Sequence, residues 1–146
     1  MLRIRKITDY GIVLLTELAR GAPGEPHAAR ELSEAVALPM PVVSKTLKAL
    51  ARRGLLVSHR GARGGFSLAR EPERIAVSEV IDAFEGPVGL TECTIAGSEC
   101  QREAIYGVIV QALRQVTVAD LIAPPAALVD FTLTGAPAAS SARKTH

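Results

Sequence analysis

Two cysteines, Cys93 and Cys100, are the only thiols in this 146-residue chain, and six residues separate them. Thiolates bind metal ions and also form reversible disulfides, so the pair indicates either a metal site or a redox switch. In a reducing compartment a permanent structural disulfide is not expected. The three histidines are scattered, and the chain has neither a nucleophile next to a base nor a nucleotide-binding glycine motif. The residues therefore do not predict an enzyme.

Basic residues are concentrated in the first half of the chain. Residues 1–70 have a net charge of +7 and residues 71–146 a net charge of −5, within an overall charge of +2. A basic half attracts polyanions, so nucleic acid is one predicted partner, with solvated surface charge as the alternative. No run of about 18 apolar residues and no signal-peptide core is present. We therefore expect a cytoplasmic protein without membrane spans.

Hydrophobic periodicity predicts the elements that position these residues. Helices are expected over residues 6–20, 28–36, 41–53, 77–85, 101–116 and 117–121. Their predicted N-caps include Thr8, Ser78 and Thr117. Residues 55–60 and 66–70 are predicted strands, and a turn rich in glycine and arginine joins them into a hairpin.

The order of these elements predicts a winged helix-turn-helix fold, mainly α with a small β-hairpin wing, followed by a long C-terminal dimerisation helix. A helix fits the major groove of DNA, so we expect helix 41–53 to lie there, with its N-terminal turn at base edges or a phosphate. Arginine at the hairpin tip suits a narrow minor groove. The alternative is a helical bundle whose charged faces are only solvated. The predicted DNA-binding residues are Arg3, Lys6, Pro41, Val42, Ser44, Lys45, Lys48, His59, Arg60, Arg63 and Gly64.

Several short motifs make the chain similar to a known family. They include ITDYG at 7–11, SKTLK at 44–48, HRGARGGF at 59–66 and EGP at 85–87 with LTEC at 90–93. With these motifs the chain resembles the IscR/NsrR-type family of bacterial winged-helix transcriptional regulators over roughly residues 1–121. Within that family it looks closest to regulators of SUF-type iron–sulfur cluster assembly. The resemblance implies a cytoplasmic homodimer, a palindromic DNA operator, repression, and an iron–sulfur cluster as the sensed ligand.

The chain departs from this family at the cysteines. The family pattern has three, and this chain has only Cys93 and Cys100. A cluster takes about four protein ligands. The resemblance implies Asp9, from the first helix of a partner subunit, as a further ligand, with His27 and Glu92 as weaker candidates. Such mixed ligation favours a 2Fe-2S cluster. Two alternatives stay open: a disulfide switch between the two cysteines, and a regulator without a cluster.

The predicted domain layout follows from these assignments. Residues 1–86 form the DNA-binding domain and residues 87–100 a cysteine-containing sensor loop. Residues 101–123 form the dimerisation helix, and residues 124–146, rich in Pro, Ala, Ser and Gly, are a disordered tail.

Overall fold

The computed structural model of the chain describes residues 4–86 and 101–124. Its elements match the predicted order, and their ends differ from the predicted ones by at most two residues. No helix within these two ranges is both long enough and apolar enough to cross a membrane. The elements are α1 (Lys6–Arg20), α2 (Ala29–Ala35), α3 (Met40–Arg52), β1 (Leu56–His59), β2 (Gly65–Leu68), a 3₁₀ turn (Pro72–Arg74), α4 (Val77–Glu85), α5 (Gln101–Gln115) and α6 (Val118–Ile122).

Helix α1 is at the centre of the hydrophobic core, where it contacts α2, α3, α4 and α6. Gly11 allows α4 to approach closely, because a methyl group on Gly11 would overlap the ring of Phe84. Aliphatic side chains dominate the core, as expected for a chain with 3% aromatic residues. The fully buried members are Leu14, Leu15, Val43, Leu47, Leu50, Ile75 and Val80.

The sheet consists of the antiparallel hairpin β1–β2, with Leu56 opposite Leu68 and His59 opposite Gly65. A residue from the connection between α1 and α2 extends this sheet. The N–H of His27 donates to the carbonyl of Phe66 and the N–H of Phe66 donates to the carbonyl of His27, each at 2.9 Å. The hairpin is therefore hydrogen-bonded to the connection between α1 and α2. The sequence pattern does not predict this contact.

Two of the three predicted N-caps are wrong. Helix α1 begins at Lys6 and α4 at Val77, so Thr8 and Ser78 lie inside their helices, where both are buried. At α4 the carboxylate of Glu79 accepts from the N–H of Ala76 at 3.2 Å. The Thr117 cap is confirmed, since its hydroxyl oxygen accepts from the N–H of Asp120 at 3.3 Å.

The carboxylate of Glu85, at the end of α4, holds the beginning of α1. It accepts from the backbone N–H of Arg5 at 2.9 Å, from Nε of Arg5 at 2.8 Å and from the hydroxyl of Thr8 at 2.5 Å. The Arg5 guanidinium also donates to the carbonyl of Phe84. The Thr8 hydroxyl has the largest effect on the pKa of Glu85, which these bonds lower from its ordinary value despite partial burial. Two helix ends are thereby joined through one charged group.

Helix α6 returns to the DNA-binding domain after α5. The N–H of Val77 donates to the carbonyl of Val116 at 2.8 Å, and the N–H of Val118 donates to the carbonyl of Ile75 at 2.9 Å. Val118 is 1% exposed and belongs to the same core as Leu14. Helix α6 is therefore packed against α1 and the 3₁₀ turn.

Replacing Gly65 should loosen the hairpin. In Gly65→Ala the new methyl group would overlap the His27 carbonyl group and lie 3.0 Å from the Ala28 nitrogen. Because backbone has to move, we expect the free energy of unfolding in urea to fall by about 1–3 kcal/mol. Hydrogen exchange at the Phe66 amide should become faster in parallel.

Gly24→Ala is the matched control for this change. Gly24 has φ +77° and open space around it, so the substitution introduces backbone strain of about 1–2 kcal/mol without a clash. Exchange at the Phe66 amide should stay slow in Gly24→Ala. Unchanged Phe66 exchange in Gly65→Ala would contradict the described pairing.

The Glu85 contacts should make stability depend on acid pH. A carboxylate whose pKa is lowered in the folded state stabilises the protein fully above its ordinary pKa of 4.5, and this contribution is lost as the pH falls through the lowered pKa. We therefore expect Glu85→Gln to reduce the free energy of unfolding near pH 7, with the difference from the parent shrinking toward about pH 3. Urea unfolding across this range measures it. Glu34→Gln, which removes a surface pair with Arg30, should have little effect. If the difference in free energy of unfolding between Glu85→Gln and the parent does not vary with pH, the described contacts of Glu85 are contradicted.

Candidate nucleic-acid interface

Burial of one side of α3 decides which of its residues face outward. Val43, Leu47 and Leu50 are fully buried. Thr46 is buried too, and its hydroxyl donates to the carbonyl of Val42 at 2.8 Å, so its polar group is satisfied inside the helix. Spacings of three and four residues along this side leave the opposite side of the helix free to meet another molecule.

Most of the predicted DNA-binding residues of α3 are on that outward side. Pro41, Lys45 and Lys48 are exposed, whereas Val42 and Ser44 are half-buried at its border. The structure adds Met40 and Arg52, both exposed, at the two ends of the same stripe. Arg52 follows Lys48 by four residues, so helical spacing in the sequence could have identified it.

The N-terminal turn of α3 offers fewer donors than a helix end usually does. Pro39 is the N-cap without a side-chain cap, and Pro41 has no N–H. The N–H groups of Val42 and Val43 both donate to the carbonyl of Pro39, at 3.0 and 3.1 Å. The predicted phosphate contact through this turn is thus disfavoured, because the N–H groups of 41–43 are absent or already used.

The hairpin tip presents two arginines on a turn shaped by glycines. Arg60 and Arg63 are exposed, and Gly61 has φ +105°, which side-chain-bearing residues rarely adopt. The N–H of Gly64 donates to the carbonyl of Gly61 at 2.9 Å. A methyl group on Gly64 would collide with the carbonyls of His59 and Gly61, so Gly64 is half-buried within the turn itself.

His59 is exposed at the end of β1, but one of its ring nitrogens is engaged. Nε2 lies 2.8 Å from the hydroxyl oxygen of Ser67 on the neighbouring strand. Ser67 is 4% exposed, so this bond orients the imidazole from the interior of the hairpin. Nδ1 is the ring nitrogen left for an external partner.

The residues that precede and open α1 differ in how available they are. Lys6 is exposed in the first turn of α1. Arg5, although exposed, has its guanidinium bound to Glu85 and to the Phe84 carbonyl. The predicted contact residue Arg3 lies outside the described residues.

Ion pairing engages five arginines that lie away from this surface, although Lys6, Arg53 and Arg114, also outside the set named below, have no carboxylate within 4.0 Å among the described residues. Arg5, Arg20, Arg30, Arg70 and Arg74 each pair with a carboxylate, at N···O distances from 2.6 to 3.6 Å. Within residues 4–86 and 101–124, the basic residues on the outward side of α3 and at the hairpin tip have no carboxylate within 4.0 Å. This unneutralised set is Lys45, Lys48, Arg52, Arg60 and Arg63.

Of the candidate metal ligands, Asp9 and His27 belong to the described residues. Asp9 is exposed in the first turn of α1, next to Thr8, which bonds to Glu85. Cys93, Cys100 and Glu92 lie outside the described residues. Within the described ranges no group of three or more His, Cys, Asp or Glu side chains could hold a metal ion.

His27 lies too far from Asp9 to share a site within one chain. Its ring packs against Gly21, at the other end of α1, where its Nε2 is buried without a partner in the described structure. The 15-residue helix between these ends is about 22 Å long. A metal site within one chain would therefore not include both His27 and Asp9, and His27 as a weaker ligand beside the partner's Asp9 stays a prediction.

Comparison with known proteins places this arrangement in a family. Residues 4–124 match the model of the Rrf2 family, described as iron-dependent transcriptional regulators. The HTH-type transcriptional repressor NsrR of Streptomyces coelicolor is 30% identical, over 93% of this chain and 99% of its own length. A putative HTH-type transcriptional regulator of Aquifex aeolicus is 32% identical over 51% of each protein.

Solved structures agree with the sequence matches. The structure of CymR, described as the global cysteine regulator of B. subtilis, has a TM-score of 0.74 and 28% identity, and the match covers 84% of this chain and 97% of that one. The predicted winged-helix fold and the family resemblance are confirmed, and so is the expectation that the chain is not an enzyme. The chain belongs to the Rrf2 family of winged-helix transcriptional regulators.

Proposed function

We propose that the protein is a homodimeric repressor that binds a palindromic DNA operator, with α3 in the major groove and the hairpin tip at the neighbouring minor groove. The observation that carries this is the set of unneutralised basic residues on α3 and the hairpin. Elsewhere in the described structure five arginines are paired. Unpaired cations keep their full attraction for phosphate and release counterions on binding.

The second copy would join through α5. Val108 is 56% exposed and Ile109 37% exposed on this helix. Exposed apolar surface is unfavourable in water, and a partner helix packed on it would remove that free-energy cost. A two-fold axis there would give two copies of α3 for two half-sites, about one helical turn of DNA apart. Within the predicted dimerisation segment 101–123, α5 therefore remains our proposed dimer contact, since α6 packs against α1 of its own chain.

Removing single interface cations should lower DNA affinity in a salt-dependent way. In Lys45→Ala and in Arg63→Ala we expect weaker binding to a duplex selected from a random library by the full chain. The slope of log affinity against log salt should become shallower by about one for each lost phosphate contact. Fluorescence anisotropy at several salt concentrations measures both effects.

Arg74→Ala is the matched control, because it removes the same charge from an exposed arginine paired with Glu71 at 3.6 Å. Its salt slope should equal that of the parent. Equal slopes in Arg63→Ala, Lys45→Ala and the parent would remove these side chains from the proposed phosphate contacts.

The signal is proposed to enter through Cys93 and Cys100, with iron–sulfur cluster assembly genes as targets. The family description as iron-dependent regulators supports a cluster. Asp9 of the partner subunit stays the proposed further ligand, and its exposure in the first turn of α1 leaves its carboxylate accessible to a second chain. Two thiolates and one carboxylate give three of the roughly four ligands that a cluster takes, and a 2Fe-2S cluster suits such mixed ligation. When bound, the cluster would supply redox sensitivity.

Iron and sulfide content tests this assignment. Protein purified without oxygen should contain iron and sulfide in proportion to the chain and absorb visible light, and Cys93→Ala should lose both. Its operator affinity should then no longer respond to iron or oxidant, while its circular dichroism spectrum stays that of the parent. Asp9→Ala should retain less iron than the parent.

A colourless parent protein that binds DNA would contradict the cluster and leave two hypotheses for the role of Cys93 and Cys100. Affinity that changes with a thiol oxidant, and does so only when both cysteines are present, would identify a disulfide switch. Affinity that responds to neither iron nor oxidant would identify a regulator without a sensor at these cysteines.

A further inference from the structure

The first turn of α3 has an unusual surface for a helix that faces DNA. Met40, its first residue, is 42% exposed although it is apolar. Pro41 is exposed beside it, and Val42 is half-buried at the edge of the same turn. No acidic residue and no side-chain cap is present at this end of the helix.

Hydrogen bonding by this turn is largely exhausted. Pro41 has no N–H, and those of Val42 and Val43 are bonded to the Pro39 carbonyl. The side chains of Met40, Pro41 and Val42 offer no strong donor or acceptor. What the turn presents to a partner is therefore apolar surface, bordered one turn later by the exposed cation Lys45.

In the major groove, one base carries an apolar group at its edge. Thymine presents a C5 methyl group, and the other features of the groove are hydrogen-bond donors and acceptors. Burying a methyl group against apolar side chains changes affinity by about threefold to fivefold. In the proposed function Lys45 and Lys48 contact phosphates, and the first turn of a recognition helix is the part that meets base edges.

We propose that Met40 forms a specificity-determining apolar contact to a thymine methyl group in each half of the operator. The proposal rests on the proposed function, because it needs α3 in the major groove. It names the chemical feature that this turn recognises. If a protein partner binds at Met40 instead, Met40→Ala will leave every deoxyuridine penalty unchanged.

The test replaces thymine by deoxyuridine, which removes only the methyl group. A duplex is first selected from a random library by the full chain, and each thymine of one half-site is then replaced in turn. For the parent protein we expect at least one position where deoxyuridine lowers affinity by about threefold or more. For Met40→Ala the deoxyuridine penalty at that position should disappear, and Met40→Leu should keep it.

Val57→Ala is the matched control, because Val57 is 44% exposed on β1 and lies outside the proposed contact. Its deoxyuridine penalty should equal that of the parent. No sensitive thymine, or a penalty that persists in Met40→Ala, would overturn the proposal while DNA binding itself stands. Binding to no duplex above background would overturn the proposed function together with it.

Discussion

Burial of one side of α3 against α1 is the constraint on which the rest of the interface depends. Leu47 and Leu50 have no exposed surface, and each contributes about 1.5–3 kcal/mol by leaving water. A helix with one side fixed in this way cannot rotate about its axis without exposing those leucines. The orientation of Lys45 and Lys48 is therefore set from inside the protein, by residues that never meet a partner.

The hairpin is fixed by a different kind of interaction. Its attachment to the rest of the domain includes the two backbone hydrogen bonds between His27 and Phe66. Because Gly65 has no side chain, the two segments can approach closely enough to form them. The angle between the arginine-bearing tip and α3 thus depends on the connection between α1 and α2, a segment whose composition indicates only a loop.

The sequence predicted the helices and the hairpin because each has a strong periodicity bounded by glycine or proline. It also predicted the outward residues of α3, since buried residues spaced three and four apart leave only one side for Lys45 and Lys48. The caps at Thr8 and Ser78 were predicted wrongly, because a hydroxyl near a helix start has the same local pattern whether it caps that helix or bonds elsewhere. Thr8 bonds to Glu85, 77 residues later, and the His27 pairing is also non-local. Contacts of this kind depend on tertiary packing, which periodicity does not encode.

The stretch between α4 and α6 is anchored at both ends to the same domain. Glu85 is bonded to the beginning of α1, and Val116 and Val118 are bonded to the residues around Ile75. The entropy of holding two ends of a chain segment together changes only with the logarithm of the number of flexible residues between them. Residues can therefore be inserted or deleted between the two anchors at small thermodynamic cost and without shifting α3. A chain of this fold can therefore change the stretch between these anchors and keep the same outward side of α3.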